Sequence, residues 1–143
     1  MNDVLQTAKA TLLDPTGIQE HDLDGLIGRL MAYDIDYADL YFQYSRSESW
    51  SLEDGAVKSG SRSIDQGVGI RAVSGEKTGF AYSDEFHLLA LTRAADAARA
   101  IARTGGKTGE TLSWQKSDGA ALYAPADPLA SLPDDAKVVL LQQ

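Results

Sequence analysis

The stretch LYFQYSRSESWSLEDG, residues 40–55, decides the fold class of this 143-residue chain. Its apolar side chains recur at every second position, with an interruption by Arg46 and Glu48: Leu40, Phe42, Tyr44, Trp50 and Leu52. A period of two is typical of a β-strand that buries one face. The Asp54-Gly55 pair then predicts a hairpin turn, because glycine accepts the positive φ that tight β-turns require.

Further strands are predicted after this turn. A return strand covers about residues 56–64, and residues 78–82 form the last strand after a turn at residues 74–77. Between them, alternating apolar side chains mark one more strand: Val68, Ile70 and Ala72. Short connections make consecutive antiparallel strands neighbours in a sheet. We therefore expect an antiparallel β-meander of about four strands.

Helical patterns flank the strands. Residues 4–13 are weakly helical, and a second helix is expected to start at an N-cap, Asp22. A third helix is expected after a cap at Ser83 or Asp84. On this helix Asp96 and Arg99 lie away from the apolar stripe. The order of elements predicts an α+β fold with the helices packed on one face of the sheet.

The last forty residues differ in composition from the rest. Residues 104–132 contain many Gly, Thr, Lys, Ser and Pro residues, which is typical of a loop or linker. Residues 133–143 begin with a good helix start, Pro133-Asp134, and the chain ends two residues after an apolar run, Val138-Val139-Leu140-Leu141. We expect residues 1–103 to form an α+β domain and residues 133–143 to be the start of a truncated next element.

Composition and charge argue against several classes of protein. The chain has no cysteine, which excludes disulfides and thiolate metal sites, and no apolar run approaches the length of a membrane span. Residues 1–54 hold 11 acidic and 3 basic side chains and account for the whole net charge of −8. Nucleic-acid binding depends on Lys and Arg, so we expect none. Because no secretory signal is visible, we expect a cytoplasmic location.

Two glycine patterns match nucleotide-binding motifs by their letters alone. Residues 67–72, GVGIRA, fit G-x-G-x-x-A, but polar residues precede them and a strand follows, whereas the motif needs a buried strand before it and a helix after it. We interpret them as strand glycines at a close packing contact or a bulge. Residues 105–108, GGKT, lack the first glycine of a phosphate-binding loop and follow a helix, so we interpret them as a helix C-cap.

No residue stands out as catalytic or metal-binding. His21 and His87 are far apart in sequence and outside any zinc motif, so we interpret both as structural or solvated. Asp34, Asp36 and Asp39 surround the connection between a helix and a strand. Their spacing is not that of a carboxylate metal loop, and we interpret them as capping and solvated groups.

Serines alternate along both strands of the predicted hairpin: Ser45, Ser47, Ser49, Ser51, Ser59, Ser61 and Ser63. The simpler interpretation is a solvent-facing side of the sheet, which antiparallel sheets commonly have. The alternative is a surface that another strand or subunit can approach closely. On that alternative, the candidate peptide or partner contacts are Ser45, Ser47, Ser49, Lys58, Ser59 and Ser61.

Several segments resemble the amino-terminal domain of the TldD/PmbA family, and the TldD branch more than PmbA. They are YADLYFQ (37–43), ESWSLEDG (48–55), VKSGS (57–61), DQGVGIRA (65–72) and GEKTGFAYSD (75–84). They occur in the family's order and extend over nearly all of the chain, while family members are several times longer.

The resemblance implies a zinc metallopeptidase that cleaves small peptides, pairs with a PmbA (TldE) subunit or forms a homo-oligomer, and carries the family label "modulator of DNA gyrase". It also implies a zinc site in the carboxy-terminal part, built from a His-Glu-x-x-x-His helix and a distant cysteine. His21 and His87 match neither histidine, and the chain has no cysteine. No catalytic or zinc-binding residue can therefore be assigned to a position in this chain.

Two hypotheses of different classes follow, and a third possibility, nucleotide or nucleic-acid binding, is kept only because of the glycine pattern and the family's gyrase label. The first is a non-catalytic amino-terminal domain of a TldD-like zinc peptidase, which contributes contacts to a substrate channel or a subunit. The second is a stand-alone, non-enzymatic module that binds a protein or peptide. The reading frame beyond Gln143 separates them, because only the first hypothesis requires the zinc helix to follow.

Overall fold

The computed structural model describes residues 2–32, 34–102 and 126–143. Its elements, in chain order, are α1 (Asn2–Leu12), a 3-10 turn (Asp14–Thr16), α2 (Glu20–Met31), β1 (Tyr37–Glu53), β2 (Ala56–Ser74), β3 (Lys77–Ser83), α3 (Leu88–Ala102) and α4 (Asp134–Leu141). The strands form an antiparallel sheet in the order β1-β2-β3. The α+β class is confirmed.

In the described part of the chain the sheet has three strands, because the predicted second and third strands are one. β2 continues for 19 residues through the polar segment that we expected to separate them. Its first half is exposed, and its second half, from Gly67 onward, is mostly buried, with Arg71 exposed. The change from polar to apolar side chains thus marks a change in burial along one strand and not its end. β3 pairs only with the second half, from Val68↔Ser83 to Ser74↔Lys77.

The predicted turn between β1 and β2 is confirmed. Asp54 and Gly55 both have positive φ, 52° and 76°. Two consecutive positive φ values define the type I′ turn, whose twist matches that of the paired strands.

The chain divides into two compact units. The described part of unit 1 comprises residues 2–32, 34–44 and 66–102, and that of unit 2 comprises residues 45–65 and 126–143. The predicted cap at residues 105–108 and most of the predicted linker lie outside the described residues. The predicted helix start at Pro133-Asp134 is confirmed by α4.

Unit 1 has its apolar core between one face of the sheet and the helices. From β2, the buried side chains are Val68, Ile70 and Ala72, and from α3 they are Leu91, Ala94, Ala95, Ala98 and Ala102. α2 adds Leu26, Leu30 and Met31. The alanines of α3 permit close approach to β3. A Cβ at Gly79 of β3 would overlap the Ala98 carbonyl oxygen and lie 2.9 Å from the Ala102 nitrogen.

The starts of two helices differ from the predictions. α2 begins after Gln19, and Asp22 occupies the third helical position, where its carboxylate accepts the Gln19 N–H at 2.8 Å. α3 begins at Leu88, so the predicted cap at Ser83 or Asp84 is wrong. His87 caps this helix instead, since its Nδ1 accepts the Ala90 N–H at 3.1 Å. Both groups satisfy backbone donors that the first helical turn leaves unpaired.

Asp96 and Arg99 do not face away from the protein, as we expected, but join α3 to α2. The Arg29 guanidinium donates to both Asp96 carboxylate oxygens, at 2.6 and 2.7 Å. Arg99 donates to the Arg29 carbonyl oxygen at 3.0 Å. The hydrogen bond from Arg29 lowers the pKa of Asp96. A bidentate pair fixes the orientation of both side chains, and so it aligns the two helices.

The contact at Gly79 yields a test of this packing. We expect Gly79→Ala to destabilise the protein by about 3 kcal/mol, because the methyl group would push α3 away from the sheet. Gly28→Ala is the matched control, since a Cβ at this exposed position of α2 meets no atom within 4 Å. The control should stabilise by about 0.5–1 kcal/mol through helix propensity. Urea unfolding measures both, and equal effects would contradict the proposed packing.

Candidate functional site

The hairpin of unit 2 brings the alternating serines onto one surface. Ser49 Oγ lies 2.7 Å from Ser61 Oγ, and Ser51 Oγ lies 2.6 Å from Ser59 Oγ. Each pair therefore shares a hydrogen bond across the two strands. All four residues are exposed. We call this surface, with the exposed Ser47 and Ser63, the serine face.

Two of the predicted contact residues differ from the others. Ser45 is only partly exposed. Lys58 does not share the serine face, because alternate residues of a strand point to opposite sides and Lys58 is two residues from Gly60 on the other side. Its ammonium group pairs with Glu53. A role of these residues in binding a peptide or partner stays a prediction.

The opposite side of the same hairpin is built around Trp50. The indole ring lies over Gly60, where a Cβ would be 3.2 Å from Trp50 Cε3. The absence of a side chain at Gly60 therefore lets the ring lie against the neighbouring strand. The indole Nε1–H donates to the Glu48 carboxylate two residues earlier on β1.

Glu48 is the central ionic group of unit 2. Its side chain is only 7% exposed, and Lys137 of α4 donates to its two oxygens at 3.0 and 3.1 Å. Arg62 on β2 lies 3.8 Å away. The hydrogen bonds from Trp50 and then from Lys137 lower the pKa of Glu48. The carboxylate is thus held ionised by donors from β1 and α4.

Polar contacts of the same kind join the rest of residues 126–143 to the hairpin. Arg46 pairs with Asp127, and Arg62 donates to both carboxylate oxygens of Asp134 at 2.7 Å. At the far end, Gln142 donates to the Gly55 carbonyl oxygen at 2.9 Å. α4 itself has no buried residue. Charge pairing, more than apolar burial, therefore holds this helix on the hairpin.

These contacts surround a cleft within unit 2 of about 430 Å³. Its lining combines charged groups with a few apolar side chains, among them Arg46, Glu48, Arg62, Ile64, Leu129 and Leu132. The cations of the cleft already have carboxylate partners in the same unit. Because these cations are paired with carboxylates of the protein, the cleft does not offer unpaired positive charge to an anion.

The sequence contains a signal for this network at Arg46 and Glu48. Arg46 and Glu48 interrupt the apolar alternation of β1 at positions where buried side chains were expected. A charged side chain on a buried face is costly without a partner. The interruption therefore indicates ion-pair partners, but not that they come from residues almost ninety positions later.

The glycine pattern at residues 67–72 lies inside β2 and not between a strand and a helix. A Cβ at Gly67 would lie 2.6 Å from Tyr82 Cζ, and one at Gly69 would lie 3.0 Å from Phe80 Cε2. The glycines make room for aromatic rings of β3. The interpretation as strand glycines at a close packing contact is correct, and the dinucleotide motif is excluded.

The described residues do not fit a zinc ion. Within residues 2–32, 34–102 and 126–143, no group of three His, Asp or Glu side chains is placed to hold a metal. Both nitrogens of His87 have partners, since Nδ1 caps α3 and Nε2 lies 2.9 Å from Glu85 Oε2. His21 Nε2 lies 3.4 Å from Asp22.

Among the helices of the described residues, none has the length and apolarity to cross a membrane.

The lowered pKa of Glu48 predicts a pH dependence for unit 2. A carboxyl group with a lowered folded-state pKa contributes stability that is complete above its unfolded value, about 4.3, and is lost as the pH falls through the folded-state pKa. We expect the NMR chemical shift of the Trp50 indole N–H to stay constant as the pH falls to about 4.3 and to change only below that pH. In Glu48→Gln this transition should be absent. A transition centred above pH 4.3 would contradict the ionic role of Glu48.

Comparison with known proteins places the chain in a family. Residues 38–102 match the family description "PmbA/TldA metallopeptidase domain 1". Over 141 residues the chain is 45% identical to a protein of Haemophilus influenzae named "Metalloprotease TldD homolog". The matched region covers 96% of the chain and 29% of that protein.

Two proteins with the same name occur in Buchnera aphidicola, from Schizaphis graminum and from Acyrthosiphon pisum, and both are 37% identical to the chain. They match 96% and 92% of it, which corresponds to 28% and 27% of their own lengths. The chain thus spans less than a third of the length of the curated relatives it matches. The chain belongs to the PmbA/TldD family and corresponds to the first domain of its members.

Proposed function

We propose that this chain is the non-catalytic first domain of a TldD-like zinc metallopeptidase that degrades or processes peptides. The observation that carries this proposal is the 45% identity, over 96% of the chain, to a protein named as a metalloprotease. Sequence identity at this level along nearly the whole chain supports the proposal that the chain is the corresponding domain of a metallopeptidase. Fold alone would not support it, because one fold can host many functions.

The proposal divides the work between this domain and the rest of the protein. A catalytic zinc site needs three protein ligands and an open position for water. The described residues do not provide such a group, and both nitrogens of His87 have partners, Nδ1 the Ala90 N–H and Nε2 the Glu85 carboxylate. We therefore assign the zinc ligands to the part of the relatives that this chain does not span.

The hairpin of unit 2 is the part of the domain that we propose to contact the peptide or a PmbA-type subunit. Among the described residues, β1 is an edge strand of the sheet, and β3 pairs with β2 only from Val68 onward. The hairpin strands therefore have open edges in these pairings, to which an extended peptide can add by main-chain hydrogen bonds. The serine side chains are small, so the serine face leaves room for the side chains of a bound peptide.

The division of work has a direct test. We expect the 143-residue chain to show no zinc-dependent cleavage of small unstructured peptides, and the full-length protein to cleave them. The full-length protein should lose activity with a chelator and regain it with zinc. Zinc-dependent cleavage by the 143-residue chain would contradict the proposal. Inactivity of the zinc-loaded full-length protein, alone and with a PmbA-type subunit, would also do so.

The contact surface has a separate test. In the full-length protein, Ser61→Arg places a long cation on the serine face, and we expect kcat/KM for peptides to fall on the order of tenfold. Ala100→Arg is the matched control, because it adds the same side chain at an exposed position of α3. Sedimentation of both variants with the PmbA-type subunit distinguishes a peptide contact from a subunit contact. If both variants keep wild-type activity and assembly, the serine face is not a contact surface.

A further inference from the structure

The outer face of the unit 1 sheet, opposite to the helices, carries exposed aromatic side chains. Four rings lie on it: Tyr37 (48% exposed), Tyr41 (66%), Phe80 (58%) and Tyr82 (62%). The pairing places Phe80 and Tyr82 on one side, since Tyr82 is opposite Gly69 and Phe80 is opposite Arg71. On β1, Tyr37 and Tyr41 alternate with the buried Ala38, and the Tyr37 ring lies beside Arg71. The neighbouring positions Ile70 and Ala72 point into the core. We call these four rings and Arg71 the outer aromatic face.

The rings on β3 are held flat against the sheet. Tyr82 lies over Gly67 and Phe80 over Gly69, at positions where any Cβ would collide with or press on the ring. The Tyr82 hydroxyl donates to the Gln66 carbonyl oxygen at 3.3 Å. Rings fixed in this way lose little conformational entropy when another surface packs on them.

The charged groups of this face neutralise each other. Arg71 Nε donates to Asp39 Oδ2 at 3.1 Å, and the Arg71 guanidinium lies 5.4 Å from the centre of the Tyr37 ring. The hydrogen bond that Arg71 donates to the Asp39 carboxylate raises the pKa of Arg71. Tyr, Phe and Arg are the residues enriched at the centres of protein interfaces. A neutral aromatic surface with one internal ion pair has the composition of an interface.

We infer that the outer aromatic face packs against a later domain of the same polypeptide. The matched family description is that of a first domain, and the curated relatives are more than three times as long as this chain. Most of each relative is therefore available to cover the face. The inference concerns assembly of the protein and does not depend on the proposed peptidase activity.

The size of the face favours a domain of the same chain over a second subunit. An aromatic side chain offers about 150–250 Å² for burial, so four half-exposed rings supply roughly 400–500 Å². A stable complex of two separate chains needs about 800 Å² from each partner, whereas interfaces between domains of one chain start at about 300 Å² a side. Tethering makes the smaller area sufficient, because the domains are never free to diffuse apart.

Charge and geometry argue against the other occupants. A second copy of this chain would bring another net charge of −8, and the two copies would repel each other. A short peptide binds sheets by main-chain hydrogen bonds at an edge. The face of a sheet offers no free main-chain groups, so a flexible peptide would pay its ordering entropy for side-chain contacts alone. A folded domain avoids that cost.

Site-specific photocrosslinking in the full-length protein identifies the occupant. The photoreactive amino acid p-benzoylphenylalanine replaces Tyr41 in one variant and Phe80 in a second, and both substitutions keep an aromatic ring at the position. The control variant carries the same amino acid in place of Leu89, which is 57% exposed on α3. Mixed isotope-labelled and unlabelled protein distinguishes crosslinks within one polypeptide from crosslinks between two.

We expect positions 41 and 80 to crosslink to one defined segment beyond residue 143 of the same polypeptide, and position 89 not to reach that segment. Absence of crosslinks from both face positions would overturn the inference. Crosslinks to a second copy, to another subunit, to added peptide or to residues 1–143 would overturn it as well, since each names a different occupant. A reading frame that ends at Gln143 would overturn it without further experiment.

Discussion

The contact between α3 and β3 at Gly79 determines which side of the sheet becomes the core. The α3 backbone at Ala98 approaches the strand so closely that no Cβ fits between them. Because strand residues alternate, this contact also commits Ile70 and Ala72 to the buried side and Arg71, Phe80 and Tyr82 to the other. The position of α3 thereby determines which residues form the outer aromatic face. A larger residue at position 79 would disturb both the packing of the core and this face.

The two units are stabilised by different interactions. Unit 1 buries a continuous apolar cluster between the sheet and α2 and α3. In unit 2, α4 buries no residue and is joined to the hairpin through Glu48, Lys137 and Arg62. Apolar burial is insensitive to pH, whereas a carboxylate with a lowered pKa couples its contribution to protonation. The attachment of α4 therefore depends on pH through Glu48.

The local rules of the sequence predicted the elements well and their connections less well. The alternation in residues 40–52, interrupted only at Arg46 and Glu48, and the Asp54-Gly55 pair predicted the hairpin, because both effects act within a few residues. The break expected inside β2 was wrong, since burial by α3 covers only its second half. Asp96 was misplaced for a related reason: its partner, Arg29, lies 67 residues away, and helical periodicity contains no information about such a pair.

The glycines at residues 67 and 69 illustrate why a candidate site was harder to predict than the fold. By letters they belong to a nucleotide motif, and by neighbours they belong to a strand. Their observed role depends on which β3 residues lie close to them. The register between β2 and β3 determines this, and the local sequence of β2 does not reveal it. Tyr82 and Phe80 attract no attention as isolated aromatic residues in a short strand. Because their rings lie over Gly67 and Gly69, they form a fixed, solvent-facing surface. The same glycines lie inside a strand, where they form no pyrophosphate site and instead keep the aromatic surface flat.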